Sequence, residues 1–379
     1  MLLSDKKVLS IARDKATVPE STNGLKRGMK GSMPTMPRRS DEAYLDFISG
    51  ARQELMHAHW GKLLALGYSA LAAAKDESGQ IPNSVDEVKR VLLDFPEMAA
   101  FMRIKRTLQE SCWNRVIDAY ALEQDEFIKA LDESDGQPPG SVKWDPNFQY
   151  PEYATVDIHI QPGGYTQHPL SGLIYDHGTK VFFGGNAPVD FIHEATAKGI
   201  ATPSDGTVQR ILEIGCSVGQ LICALKNLFP EAEACGIDIS APMVRYAHWR
   251  AKQRNIDVHF EQMAAERLSF PDNHCDLVAA HILFHELPVE VIRKTVGEVF
   301  RVLRPGGTFV LWDFPTATAQ NPSYANFMGI LDAADNGEPY ALGFVRCGVE
   351  ELMKQAGFTL RSEQPEIIMA QGRVGDKPT

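Results

Sequence analysis

Residues 211–219 read Ile-Leu-Glu-Ile-Gly-Cys-Ser-Val-Gly, a spacing that suits an adenosine-type ligand. An apolar run reaches Glu213, turns on Gly215 and passes through Gly219 into Gln220–Leu228, which has helical spacing. Glycine turns that open a helix N-terminus let a ligand approach bare backbone N–H groups. A second short run ends on Asp238, where a carboxylate at a strand tip is placed to hold ribose hydroxyls. Ser217 and Gln220 break the G-x-G-x-x-G spacing of dinucleotide sites, and no Gly-Lys-Ser/Thr follows as in a phosphate loop. A ligand without phosphates fits better. Residues 144–185 add a second cluster: Trp144, Phe148, Tyr150, Tyr153, Tyr165, Tyr175, Phe182 and Phe183, with His159, His168 and His177 among them. Two readings stay open for it, an aromatic wall over a cationic ligand and its acceptor, or rings that bridge two domains. The three histidines have no recognised metal-ligand spacing, so no metal is expected.

These residues need elements to hold them. Residues 258–262 read as a strand, 268–282 as a loop and a strand, and 308–314 as another strand. Between them, apolar residues at 289, 292, 296, 299, 300 and 303 mark one buried helix face, and Arg304-Pro-Gly-Gly ends it. This rhythm predicts right-handed βαβ units around a parallel sheet. Helix 350–356 and strands 357–360 and 366–371 complete the pattern. Thr155–Ile160 alternates like a strand, Pro162-Gly-Gly is a turn, and 172–178 is expected as the partner strand. Upstream, 41–75 is helical. Ser84-Val-Asp-Glu resembles a capping box before 85–95, Pro96 breaks the chain, and 97–132 returns to helical spacing. Four segments are therefore expected: a flexible leader 1–40, an α-helical domain 41–135 (a cap or a dimerisation module), an aromatic-rich connector 136–172 and a ligand-binding domain 173–379.

The nonapeptide resembles motif I of the class I S-adenosylmethionine (SAM) methyltransferases, with Ser217 in place of the middle glycine. Leu303-Arg-Pro-Gly-Gly before a strand and Phe270-Pro-Asp-Asn before Cys275-Asp-Leu-Val are marks of the same family. The resemblance covers roughly residues 173–373. It implies a Rossmann-like α/β sheet of seven strands, six parallel and the last antiparallel, with the helical domain added at the N-terminus. It implies SAM as cofactor and S-adenosylhomocysteine as product. By the same resemblance the cofactor contacts are Glu213, Gly215, Cys216, Ser217, Gly219, Asp238, Ile239, Met243, Met263, Ala264, Ala265 and His281. The family often has an aspartate that receives the adenine amine where this chain has Ala264, so an acceptor is missing unless Glu266 or a backbone carbonyl supplies it. Residues after the fourth strand face the methyl group in the family. His281, His285 and Glu286 occupy that edge here. Imidazole near its neutral pKa suits general-base work, with His285 preferred over His281 and Asp313 weaker. Tyr165, Tyr175, His177 and His285 are the expected acceptor contacts.

The motifs of amide, base-nitrogen and protein-arginine methyltransferases are absent, which directs the reading to a small-molecule acceptor methylated on oxygen or nitrogen. A SAM-binding partner or sensor without transfer activity is the alternative. A net charge of −11 disfavours nucleic acid and anionic membranes, and no apolar run approaches ~18 residues. Six cysteines without a CxxC pair fit a reducing, cytoplasmic chain. A homodimer through the helical segment is the one protein partner expected.

Overall fold

The computed structural model describes residues 36–182, 190–316, 330–362 and 370–379, with 29–30, 33–34, 327 and 366–367 beside them. Most of the expected leader, Phe183 and residues 368–369 of the last expected strand lie outside the described residues. One sheet organises the chain. Its parallel strands are β1 Ser141–Lys143, β2 Arg210–Ile214, β3 Glu233–Asp238, β4 His259–Gln262, β5 Cys275–His281 and β6 Leu303–Asp313. Three more, β7 Thr359–Leu360, β8 Glu366–Ile367 and β9 Ala370–Asp376, follow. The order is β8-β9-β6-β5-β2-β3-β4-β1, with β7 also paired to β9. β9 runs antiparallel to β6, with Val374 opposite Val310. The Rossmann-like sheet is therefore present, and two details differ from the expectation. The connector supplies an edge strand, β1, which pairs with His259–Glu261. Within the expected strand 366–371, Glu366–Ile367 pairs antiparallel with Ala370 and Gln371 instead of continuing into them.

β5 is buried along almost its whole length, as an apolar strand flanked by β2 and β6 must be. The chain order reverses on the two sides of β2, between β3 and β5. In open α/β sheets ligands bind beyond the carboxyl ends of the strands at such a switch point.

The helices are α1 Arg39–Ala73, α2 Val85–Leu93, α3 Pro96–Tyr120, α4 Gln124–Asp135, α5 Ser171–Phe182, α6 Phe191–Lys198, α7 Gln220–Leu228, α8 Ala241–Gln253, α9 Val289–Val302, α10 Ala341–Arg346 and α11 Val349–Ala356. Ser84 and Glu87 form a reciprocal capping box at α2. Pro96 occupies the first turn of α3, where its missing N–H costs nothing. Trp113 and Val116 of α3 pack with Leu170, Ile174, Met243 and Tyr246, which ties the N-terminal helices to α5 and α8.

The expected hairpin at 155–178 is not formed. Residues 155–170 are turns, with His159 and Ile160 at positive φ, and 172–178 lies inside α5. The Pro-Gly-Gly turn folds back on its own loop, through Gln161 Nε2 to Gly164 O and Gly163 N to Asp157 Oδ1. Leu170, Leu173, Ile174 and His177 are buried at helical spacing. Gly178 lets α5 meet α3 closely, since a Cβ there would lie 1.9 Å from Trp113 Cζ3.

Candidate functional site

The turn after β2 shapes the floor of a cavity of about 150 Å³ beyond the strand ends. Gly215 has φ +65°, and a Cβ would sit 2.6 Å from Leu283 Cδ1. Glycine alone meets both demands. Glu213, Gly215, Cys216 and Ser217 line one side, and Asp238, Ile239 and Met243 the next. Asp238 closes β3 and accepts from Ser217 N and Ser240 N, both at 2.9 Å. Burial still pushes its pKa up to about 6. Glu213 accepts from Ile222 N at 2.7 Å, and burial lifts its carboxyl well above the usual range. Met263 and Ala265 line the cavity, but Ala264 between them does not. Gly219 is also absent from the lining: it is the N-cap of α7, behind the floor. Glu266 lies on the wall where the usual adenine partner is missing. Its Oε1 accepts from Tyr153 OH at 2.7 Å, and its Oε2 is buried without a partner.

Tyr165 and Tyr175 form the roof, edge to face at 5.3 Å. Tyr175 and Thr179 face the cavity from α5. His177 does not. Two residues of a helix turn about 200°, so its ring points to the opposite side, where Nε2 pairs with Tyr120 OH. His168 caps a turn through Leu170 N at 3.1 Å. Neither is an acceptor contact in this arrangement.

The edge after β5 differs from the sequence reading. His281 lines the cavity, with its ring 5.0 Å from that of His193, also in the lining. Burial, reinforced by the neighbouring imidazole, pushes His281 down to about 3, and burial pushes His193 down to about 4. Both imidazoles are neutral at pH 7. They accept hydrogen bonds but are feeble bases. His285 is fully buried and absent from the lining, because the turn Phe284–Glu286 sends 284 and 285 inward and 286 into the cavity. Its Nδ1 lies 2.9 Å from Asp313 Oδ1, and Asp313 Oδ2 accepts from Phe284 N at 2.7 Å and His285 N at 3.3 Å. Burial would lower His285, but the carboxylates around it, Asp313 foremost with Glu338 and Glu286, together raise its pKa to about 9. The preferred base is thus protonated and walled off, and Asp313 is buried outside the cavity with it.

Glu286 faces the cavity and accepts from Tyr165 OH at 3.0 Å. Behind it lie His159, with Nε2 3.5 Å from Glu286 Oε1, and Glu338, whose Oε1 is 2.6 Å from His159 Nδ1. Burial opposes the charge on His159, but the Glu338 carboxylate leads in raising it to about 10. Sequence reading missed this group, because Glu338 is remote in the chain and carries no motif. Gln109 and Trp113 of α3 both donate to His159 O at 2.8 Å, so the N-terminal helices hold this turn in place.

The strands and turns that shape this cavity lie in a stretch similar to known proteins. A family model described as a methyltransferase domain matches residues 211–307. The demethylmenaquinone methyltransferase of Thermus thermophilus is 30% identical over 185 residues, 45% of this chain and 83% of that protein. The protein of that name from Deinococcus radiodurans is 31% identical over 107 residues, 28% of this chain and 44% of that protein. The solved structure of a SAM-dependent methyltransferase from Aquifex aeolicus aligns with a TM-score of 0.40 at 17% identity, over 55% of this chain and 98% of that one. Among the described residues no helix is long and apolar enough to cross a membrane. The chain belongs to the class I SAM-dependent methyltransferases, enzymes whose cofactor is S-adenosylmethionine.

Proposed function

We propose that the chain methylates a small organic acceptor at an oxygen or nitrogen. The cofactor would lie along the ends of β2 and β3, and the acceptor between Tyr165, Tyr175 and the edge 281–287. One observation carries this reading: both sets of residues line the same cavity. The relatives named for demethylmenaquinone support an organic acceptor that is neither protein nor nucleic acid.

SAM, when bound, supplies a methyl on a positively charged sulfur with a good leaving group. The residues present fit it. Asp238 offers two carboxylate oxygens for ribose hydroxyls, each already oriented by one backbone N–H. Glu266 Oε2, buried and unpartnered, is the acceptor for the adenine amine where Ala264 offers none. Ile239 and Met263 are the apolar walls for the ring. Cys216 and Ser217 bring backbone close, and Met243 closes the side.

The remaining work is alignment and exclusion of water, which in an in-line displacement supplies much of the rate. Tyr165 and Tyr175 provide the roof, with ring faces that favour a cationic centre. Glu286, steadied by Tyr165 OH, is the anionic group on the acceptor side. His281 stands beside it as a neutral hydrogen-bond acceptor. His285 and Asp313 serve as a positioning pair that fixes the 284–286 turn. In this reading 173–379 is the cofactor domain and 41–135 a cap that holds the 159 turn through Gln109 and Trp113. The six free thiols suit a reducing compartment such as the cytoplasm.

The test is incubation with methyl-labelled SAM and a cell extract, followed by separation of small molecules from protein. Label in a low-mass product is expected. Label confined to protein, or found nowhere, would overturn the small-molecule reading.

A further inference from the structure

Among the described residues that line the cavity there is no lysine or arginine, while Asp238, Glu266 and Glu286 bring carboxylates. The two imidazoles of the lining, His193 and His281, add no positive charge at pH 7, because burial pushes them down to about 4 and about 3. Asp238 and Glu266 are taken by the cofactor in the reading above, which leaves Glu286 for the acceptor. The charges behind Glu286 pair off without it. Glu338 Oε1 lies 2.6 Å from His159 Nδ1, and Asp313 Oδ1 lies 2.9 Å from His285 Nδ1. Each protonated imidazole thus has a carboxylate of its own, and their Nε2 atoms approach Glu286 Oε1 only to 3.5 and 3.9 Å. Three carboxylates against two imidazoliums leave one net negative charge. Glu286 is the member of this group that lines the cavity, so the charge is presented there. Its Oε1 takes the Tyr165 hydroxyl at 3.0 Å and faces both imidazoles, so Oε2 is the oxygen left for a ligand.

We propose that the acceptor is an amine, bound as its ammonium ion against Glu286 Oε2 beside the rings of Tyr165 and Tyr175, and methylated on that nitrogen. This rests on the methyl-transfer reading and narrows it. An ammonium N–H donates to a carboxylate in a charge-assisted hydrogen bond, and the ring faces of Tyr165 and Tyr175, 5.3 Å apart, attract a cation. A carboxylate or phosphate-ester acceptor meets Glu286 with like charge and finds no cation on the described wall, so it is rejected. A phenol is disfavoured for a related reason: its reacting form is an anion, which the same carboxylate repels. The step balances. The bound ammonium gives one proton to Glu286 Oε2, whose side chain is 14% exposed and can pass it to solvent. The freed lone pair attacks the methyl carbon; the N–C bond forms, and the C–S bond breaks with its electron pair going to sulfur. Positive charge moves from sulfur to nitrogen, towards the carboxylate and rings already in place, so the groups that select the amine also stabilise the transition state. The products are the N-methylammonium ion, S-adenosylhomocysteine and one proton.

The experiment incubates the full chain and its Glu286→Gln variant with SAM carrying a ¹³C-methyl group and a cell extract. The low-mass fraction is split by ion exchange at pH 7, and the chemical shift of the labelled carbon tells N-methyl from O-, S- or C-methyl. SAM binding is measured by calorimetry on both proteins. An N-methyl product retained on the cation exchanger is expected. In Glu286→Gln its rate of formation should fall tenfold or more, while the Kd for SAM stays within about twofold, which also shows that the variant is folded. A labelled small molecule that is an O-, S- or C-methyl compound, or one retained on the anion exchanger, would overturn the amine and leave the methyl-transfer reading standing. An N-methyl product formed equally fast by both proteins would overturn the role given to Glu286. A chain that binds SAM but labels no small molecule would remove the functional reading, and this inference with it.

Discussion

Replacing Asp238 with asparagine should separate binding from stability. The Asp238 carboxyl is buried, and its pKa rises from an ordinary 3.8 to about 6 despite two backbone N–H donors. A raised carboxyl binds its proton more tightly in the folded state than in the unfolded one. Its ionisation therefore costs nothing below about pH 3.8, costs progressively more as pH rises, and costs its full amount above about pH 6. About two pKa units correspond to roughly 3 kcal/mol. Wild-type stability without cofactor, measured by urea unfolding between pH 5 and 7.5, should fall relative to the variant by a little under half of that amount, about 1.4 kcal/mol, the rest being lost between pH 3.8 and 5. Glu213 shifts in the same direction but is present in both proteins, so it cancels in the difference. Cofactor binding should move the other way. Loss of charge-assisted hydrogen bonds, each worth about 1.5–3 kcal/mol, weakens SAM by roughly tenfold to a hundredfold. Parallel pH profiles for the two proteins, or an unchanged Kd for SAM, would refute the reasoning.

Three other outcomes follow from the same geometry. Because the ribose partner must be ionised, the Kd for SAM should stay flat above pH 7 and rise about tenfold per unit below the Asp238 pKa of about 6; calorimetry across that range checks it, and a flat profile to pH 5 contradicts it. Glu266→Ala removes the buried unpartnered oxygen and should weaken SAM about tenfold, a loss of about 1–1.5 kcal/mol, with thermal unfolding showing whether the fold is intact. Gly215→Ala forces a residue at φ +65° against Leu283, so it should cost about 2 kcal/mol or more and lower Tm by several degrees.

The β2 turn was legible because one short segment carries the acid, the glycines and the helix start. Strands β5 and β6 were legible for a related reason: buried apolar runs bounded by a Pro-Gly-Gly stop have few other homes in an α/β sheet. β1 was not, since three residues joining the sheet edge carry no periodicity of their own. The segment 155–178 misled because alternation without a partner strand is no evidence of pairing, and left-handed residues at His159 and Ile160 have no sequence signal. Sequence placed His285 and Glu286 at the same edge but could not say which one a turn would bury. The direction of each side chain was set by Asp313, 28 residues on. Glu338 was out of reach altogether, because its relation to His159 exists only after the N-terminal helices and the sheet have packed together.

The central claim is that the cofactor lies at the ends of β2 and β3 and the acceptor against Glu286. A crystal structure of the chain with S-adenosylhomocysteine tests it most directly. The account predicts ribose hydroxyls on Asp238, adenine between Ile239 and Met263 with its amine at Glu266, and the sulfur facing Tyr165 and Glu286. Density for the ligand elsewhere, or with the ribose away from Asp238, would contradict it.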